Sequence, residues 1–271
     1  LGRGQGGGGV PPPRGGGRRL GLLPRRPVGP ALPSRVLRLA GQRGLAAGQI
    51  VALKGWGGFH RACNAASTAA LAALRARKGR PDKPFAVMAR NLTAVRRFAH
   101  VSPAEAALLG GRERPIVLLR KRAGVGAHLS PLVAPGNANI GVMLPYTPLH
   151  VLLFDALNVP ALVMTSANVG GEPIVADNDE ARAHLATLAD ALLLHNRPIA
   201  MRCDDSVVHV LPDGDRPLPL RLARGYAPLS LPVAADLPPT LAVGGDIKSA
   251  LCLLDDSGRA TLGQHIGDMG S

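Results

Sequence analysis

The sequence predicts an α/β fold, a twisted mixed sheet with flanking helices, and three observations carry that expectation. Short apolar runs rich in Val, Ile, Leu and Ala recur from residue 50 to residue 222. Ala-rich or capped stretches of helical length fall between them. The two kinds alternate along the chain, the pattern of strands covered by helices in a partly parallel sheet.

Each element has its own signal. Residues 50–53 (IVAL) read as a buried strand, and 67–77 as an Ala-rich helix ending in a basic turn. Residues 85–88 form a second strand. Ser102-Pro103-Ala104-Glu105 is a capping box with Pro at the first helical position, opening a helix through 109. Residues 115–120 and 140–144 read as strands, and Thr147-Pro148 caps a helix to about residue 157. Residues 161–164 are a strand that runs straight into Thr165-Ser166-Ala167-Asn168. Residues 177–188 read as a helix, and 191–194, 206–210 and 218–222 as strands. The Pro-rich residues 229–239 read as a linker. Beyond it, 241–244 and 250–254 look like two strands around a Gly-Gly-Asp turn, with no closing element after 261. About thirty residues build no core alone, so 240–271 read as a short, incomplete β start of a second domain.

Charge is unevenly placed in these 271 residues of net charge +14. Residues 1–81 hold fifteen Lys or Arg and no carboxylate, whereas 82–271 hold seventeen against eighteen Asp or Glu. The pI therefore describes the head. Residues 1–43, dominated by Gly, Pro and Arg, cannot bury enough apolar area to offset their ordering entropy and read as disordered. Arg-Gly segments can also bind RNA through charge and stacking, but this one lacks interleaved aromatics, so nucleic acid is not the favoured partner. The first residue is Leu rather than Met, which reads as a chain starting part-way through a longer frame. No apolar run reaches the roughly 18–20 residues of a membrane helix. Cys63, Cys203 and Cys252 lie far apart, outside any C-x-x-C spacing, which suits a reducing, cytoplasmic setting and no metal site.

Four stretches carry candidate chemistry. In Lys54-Gly55-Trp56-Gly57-Gly58-Phe59-His60, three glycines allow a sharp turn and close approach to a ligand, while Lys54 and His60 supply one fixed and one titratable donor. Plain punctuation between strands is the alternative reading. Residues 75–83 hold a dense run of cations at a helix end, stiffened by Pro81 and Pro84. That directs Lys78, Arg80 and Lys83, as a polyphosphate site requires, although one or two of them would suffice to offset the helix dipole. Ser166 and Asn168 stand at the C-terminal end of a strand, where ligands bind in open α/β sheets; an ordinary Asx turn is the alternative. The fourth stretch is Arg202-Cys203-Asp204-Asp205-Ser206, followed by Arg221-Leu222-Ala223-Arg224-Gly225-Tyr226.

Taken together and in order, KGWGGFH with Cys63, RKGRPDKPFAVM, IGVMLPYTPLH, LVMTSAN-x-GGEPI, LLLHNRPI-x-x-R-x-DDSV and R-x-ARGYAP resemble the YrdC-like domain of the HypF carbamoyltransferases. Residues 44–228 would be that domain, and the stretch from 241 resembles the start of the Kae1-like domain that follows it in the family. The resemblance implies an enzyme that joins carbamate, derived from carbamoyl phosphate, to ATP as carbamoyl adenylate, for hydrogenase maturation. A HypE-like acceptor protein then receives the carbamoyl group. It implies that Lys78 and Arg80 clamp the triphosphate with Lys83 nearby, and that Ser166 and Asn168 bind phosphate or the adenylate. Arg202, Ser206 and Arg224 would lie at the nucleotide, and Lys54, His60, Tyr146 and His150 at the carbamate end or in the pocket wall. Mg2+ is implied with ATP. In-line attack on phosphorus needs positioning and charge neutralisation more than an acid–base pair, which agrees with a site rich in Lys and Arg.

Three departures stand out: Asn64 where the family has Asp, Cys203 where it has a second Arg, and 247–251 (IKSAL) for the usual LKNTF. The family's acylphosphatase domain and zinc modules have no counterpart in these residues, so the sequence reads as a fragment competent at most for adenylate formation. The alternative enzyme is a threonylcarbamoyl-adenylate synthase for tRNA modification, which shares K-x-R and S-x-N.

Overall fold

Local chemistry sets the helix starts. In the computed structural model, which describes residues 20–24, 41–124, 126, 128–168, 173–211, 216–233, 237–245 and 249–267, Ser67 caps α1 (Thr68–Lys78) by accepting from Ala70 N. Asn91 caps the short α2 (Leu92–Val95), and the expected capping box of Ser102 and Glu105 opens α3 (Pro103–Gly110). Thr147 caps α4 (Pro148–Ala156), and Asp177 caps α5 (Asn178–His184), which stops short of the expected residue 188.

Ten strands form one mixed sheet. They are β1 (Leu20–Pro24), β2 (Val51–Lys54), β3 (Phe59–Asn64), β4 (Ala86–Ala89), β5 (Ile116–Arg120), β6 (Asn139–Met143), β7 (Ala161–Ser166), β8 (Ala191–His195), β9 (Val207–Val210) and β10 (Pro217–Arg221). Their order is β1-β8-β2-β3-β7-β4-β6-β5-β9-β10, with β2/β8, β4/β6 and β5/β9 parallel and the other pairs antiparallel. Strand alternation divides the core. Phe59, Cys63, Val87, Val117 and Val163 pack with Leu71 and Leu74 of α1, Val95 of α2 and Leu109 of α3. Ala62, Met88, Leu162 and Met164 pack on the other face with Leu149, Leu153 and Phe154 of α4.

Three boundaries differ from expectation. Residues 20–24 of the supposedly disordered head are a strand paired with β8, Leu22 opposite Leu193, and residues 41–46 are helical. The edge of β8 offers unpaired backbone groups, and pairing there satisfies a segment that has no core of its own. Residues 1–19 and 25–40 lie outside the described residues. Second, the Pro-rich linker begins as a strand, β11 (Leu229–Pro232), paired with β14 (Arg259–Gly267). Third, β14 supplies the closing element missing from the sequence reading: with β12 (Thr240–Ala242) and β13 (Ser249–Leu254) it completes a four-stranded antiparallel sheet in the order β11-β14-β13-β12. A stretch judged alone gives no hint of a partner thirty residues away.

Candidate active site

The Gly-rich stretch after β2 is a tight hairpin, and its last two residues already belong to β3. Gly55 N donates to Gly58 O at 2.9 Å, and β2 and β3 pair from Val51–Ala62 to Lys54–Phe59. A Cβ on Gly57 would collide with the Cys203 carbonyl, and one on Gly58 with Ile174. The glycines therefore serve close packing of protein on protein. Cys203 N donates to Gly57 O at 3.0 Å and Phe59 N to Val175 O at 2.8 Å, so the hairpin is clamped by the segments around it.

At the end of α1, Gly79 takes the left-handed conformation (φ 61°) that ends the helix, turning the chain back beneath it. The turn is held by Arg75, whose Nη1 donates to the carbonyls of Arg80 (2.8 Å), Pro81 (2.6 Å) and Lys83 (3.3 Å) while Nε and Nη2 reach Leu132 O. One buried arginine thus fixes the directions of the cations around it. Lys78 Nζ donates to Ser166 O (2.7 Å), Asn168 O (3.3 Å) and Asn168 Oδ1 (3.2 Å), and Ser166 Oγ donates to Asn168 Oδ1 at 2.7 Å. Arg80 donates to Pro84 O at 2.9 Å and stacks on Phe85, with Cζ 5.1 Å from the ring centroid. Burial, then the charges of Arg61 and Arg80, pull the Lys78 amine down to about 7. Burial and Arg75 bring Arg80 to about 10.

Arg61 was not singled out in the sequence. It lies on β3 opposite Thr165 and is wholly buried, with Nη2 donating to Asn168 O at 2.8 Å. A charged residue inside a strand-length run between Phe59 and Cys63 was the available signal, masked by reading the glycines as the end of all regular structure.

Facing these cations is a carboxylate group. Asp205 accepts from Arg224 Nε (2.9 Å) and from His60 Nε2 (3.0 Å), and Arg224 Nη2 completes the ion pair 2.8 Å from Oδ1. Burial alone would raise the Asp205 carboxyl, but His60 and Arg224 outweigh it and hold it well below the ordinary carboxylate range. An ionised carboxylate only accepts, so Nε2 carries the His60 hydrogen. Arg224 also donates to Glu113 O and Arg114 O, both at 2.8 Å, and its Cζ lies 3.6 Å from the Tyr146 ring centroid. Burial, then Asp205, pushes the Tyr146 hydroxyl well above its usual value. His150 meets Tyr146 edge-on at 4.6 Å, and burial followed by His60 lowers its imidazole to about 3, so it is neutral.

Between the two groups lies a cavity of about 550 Å³. His60, Arg80, Lys83, Ser166, Asn168 and Arg202 line it, as do Asp204, Asp205 and Arg221, which were given no role from the sequence. Gln264 and His265 of β14 close one side; Gln264 Nε2 donates to Arg202 O at 2.6 Å and His265 N to Leu222 O at 3.1 Å. Lys78 stands behind Ser166 and Asn168. Tyr146 and Arg224 stand behind Asp205. Two candidates are placed elsewhere: Lys54 Nζ bonds Asn178 Oδ1 at 2.8 Å, and buried Ser206 Oγ bridges Arg224 O and Ala223 N, each at 2.9 Å. Neither lines the cavity. Residues 170–172 of the GGEPI motif lie outside the described residues. Burial raises the Cys63 thiol to about 12 and Cys203 to about 11, so neither is a ready thiolate near neutrality. Among the described residues no helix is long and apolar enough to cross a membrane.

A mixed sheet with flanking helices in this order is the fold of a known family. The Sua5/YciO/YrdC family model, described as "Telomere recombination", matches residues 43–223, and the chain belongs to that family. Within it the similarity is to HypF proteins. Carbamoyltransferase HypF2 of Cupriavidus necator is 50% identical over 241 residues, 83% of this chain and 29% of the relative. The crystal structure of T. kodakarensis HypF superposes with a TM-score of 0.86 at 40% identity, covering 94% of this chain and 32% of that one. Full-length HypF in a phosphate- and nucleotide-bound form superposes with a TM-score of 0.83, again at 40% identity and over 94% and 32% of the two chains. The chain spans about three-tenths of the length of these relatives.

Proposed function

We propose that this chain binds ATP in the cavity and joins it to carbamate derived from carbamoyl phosphate, giving carbamoyl adenylate and pyrophosphate. The carbamoyl group would then pass to a HypE-like acceptor on the route to a hydrogenase ligand. The observation that carries this reading is the meeting of two cations on one turn at the cavity wall: Lys78 holds Ser166 and Asn168, and Arg80 reaches the adjoining Thr165 Oγ1 at 3.5 Å. Cations held in fixed directions suit a triphosphate, and a HypF relative at 40% identity carries phosphate and nucleotide. The carbamate oxygen attacks the α-phosphorus and pyrophosphate departs. Lys78 and Arg80 neutralise the departing charge, while Ser166 and Asn168 orient the phosphate. Magnesium would be supplied with ATP; among the described residues no cluster of three His, Cys, Asp or Glu could hold a metal ion.

The test is pyrophosphate release from MgATP with carbamoyl phosphate or with bicarbonate and ammonia, which form carbamate directly, against threonine plus bicarbonate. Dependence on a carbamate source is expected. Strict dependence on threonine would replace this reading with threonylcarbamoyl-adenylate synthesis, the alternative enzyme that shares K-x-R and S-x-N.

A further inference from the structure

Among the described residues Arg61 is a charge without a counter-charge. It is fully buried, its one hydrogen bond to those residues goes to a neutral carbonyl, and Nε and Nη1 find no acceptor among them. Even lowered to about 10 by burial and by Arg80, it keeps its proton near neutrality. Burying a cation in this way costs several kcal/mol unless something nearby repays it. No carboxylate among the described residues forms an ion pair with it, and the charged neighbour that acts on it is another cation. What it does touch is informative. Arg61 Nη2 and Lys78 Nζ share one acceptor, Asn168 O, at 2.8 and 3.3 Å. Asn168 and Ser166, which Lys78 also holds, line the cavity, and Arg61 does not.

We propose that Arg61 is a positioning residue for a polyphosphate: a buried cation directly behind the S-x-N turn that fixes the Asn168 carbonyl and adds its field to Lys78 and Arg80. It acts without touching the ligand. An anion in the cavity supplies the missing counter-charge, and at the low effective dielectric of a buried site that attraction is weakly screened. The unpaired charge costs the empty protein stability and is offset on binding, so selectivity for a highly charged anion over a monoanion follows. The inference rests on the reading of the cavity as a polyphosphate site, and goes beyond it by naming a determinant outside the two motifs.

The probe is inorganic pyrophosphate, titrated calorimetrically from pH 6 to pH 9 into the wild-type chain and into Arg61→Met. Two effects of opposite sense are expected. At pH 6.5 the variant binds at least tenfold more weakly, about 1.4 kcal/mol. Above neutrality, wild-type affinity falls as Lys78 loses its proton. In the variant that fall starts at higher pH, because a cation that disfavours the charged amine is gone. The titration of pyrophosphate itself is common to both proteins and cancels in the comparison. A purely structural arginine would weaken binding without moving the break in the pH profile; that result overturns the proposal, as does unchanged affinity. Arg61→Gln, which keeps a donor for Asn168 O, carries the same test if the Met variant does not fold. Arg61→Lys should keep the wild-type break and recover part of the affinity. Wild-type binding of pyrophosphate without turnover on carbamoyl phosphate or on bicarbonate and ammonia would sink the enzyme reading and leave the role of Arg61 standing. A wild-type chain that binds no pyrophosphate would overturn the role of Arg61.

Discussion

Two groups of buried charge face the same cavity and are built in opposite ways. Around Asp205 the account closes: both carboxylate oxygens accept charge-assisted bonds, from Arg224 and from His60, and Arg224 also has two backbone carbonyls. Around Ser166 and Asn168 it stays open. Arg61, Lys78 and Arg80 donate to neutral oxygens, and Asp204 offsets Lys78 only at a distance. A cluster that is complete in itself holds three segments of chain together with or without a ligand. A cluster of like charges does not stabilise a fold, and its presence is explained by what it binds. The contrast can be broken by changing one residue on each side.

The largest effect is expected on the paired side. Asp205→Asn leaves the Arg224 guanidinium facing a group that cannot take up its charge, and unpairing a buried ion in this way costs about 3–5 kcal/mol. The urea midpoint at pH 7 should fall steeply with little change in slope. The sign with pH follows from the lowered Asp205 value. The stabilisation is present above the unfolded aspartate value of 3.8 and is lost as pH falls toward the folded one, so the wild-type advantage should shrink in acid. A midpoint that barely moves at pH 7 would show that the pairing is not what holds the strands together.

The unpaired side should respond in the other direction. In Lys78→Met the urea midpoint of the ligand-free protein should rise, because a partly buried amine with cations for neighbours is removed. The folded value of about 7 lies below the unfolded 10.5, so the wild-type penalty is complete below pH 7 and fades between pH 7 and 10.5. The gain, roughly 1 kcal/mol, should therefore be present at pH 6.5 and gone near pH 10. MgATP or pyrophosphate should no longer raise the melting temperature of this variant. If the lysine instead proves stabilising, its bonds to Ser166 O and Asn168 outweigh its desolvation, and the contrast between the two sides fails.

Sequence legibility follows the range of the interactions. The caps at Ser102 and Thr147 were readable because each cap and its target lie three residues apart. Lys78, Arg80, Ser166 and Asn168 were readable as dense cations and a small polar turn, and the family resemblance joined them. β3 was not readable, because its pairing with β7 lies a hundred residues away and His60 and Arg61 interrupt its apolar pattern. Arg61 was missed with it. Lys54 and Ser206 were recognisable as unusual residues, but a side chain's direction depends on tertiary partners. Asn178 draws Lys54, and the Arg224 carbonyl fixes Ser206. The strand at residues 20–24 exists through the edge of β8, which no local pattern announces.

His150 sharpens the boundary between the two sides with the smallest expected effect. It is wholly buried behind the Asp205 group, and neither ring nitrogen has a hydrogen-bond partner among the described residues. It therefore contributes as a neutral ring packed edge-on to Tyr146, a role that phenylalanine can take over. His150→Phe should change stability at pH 7 by less than about 1.5 kcal/mol, as volume-conserving swaps do. Its effect should emerge in acid. The folded value of about 3 lies below the unfolded 6.5, so the wild-type loses stability as pH falls from 6.5 toward 3, and the variant should lose less over that range. Urea midpoints at pH 7 and pH 4.5 measure both quantities on one protein. Pyrophosphate affinity should be unaffected, because the ring lies behind residues whose charges are already matched. A variant that folds as well as the wild type yet loses pyrophosphate binding would place His150 in the ligand's service, and the paired side of the cavity would then share the work now assigned to the unpaired one.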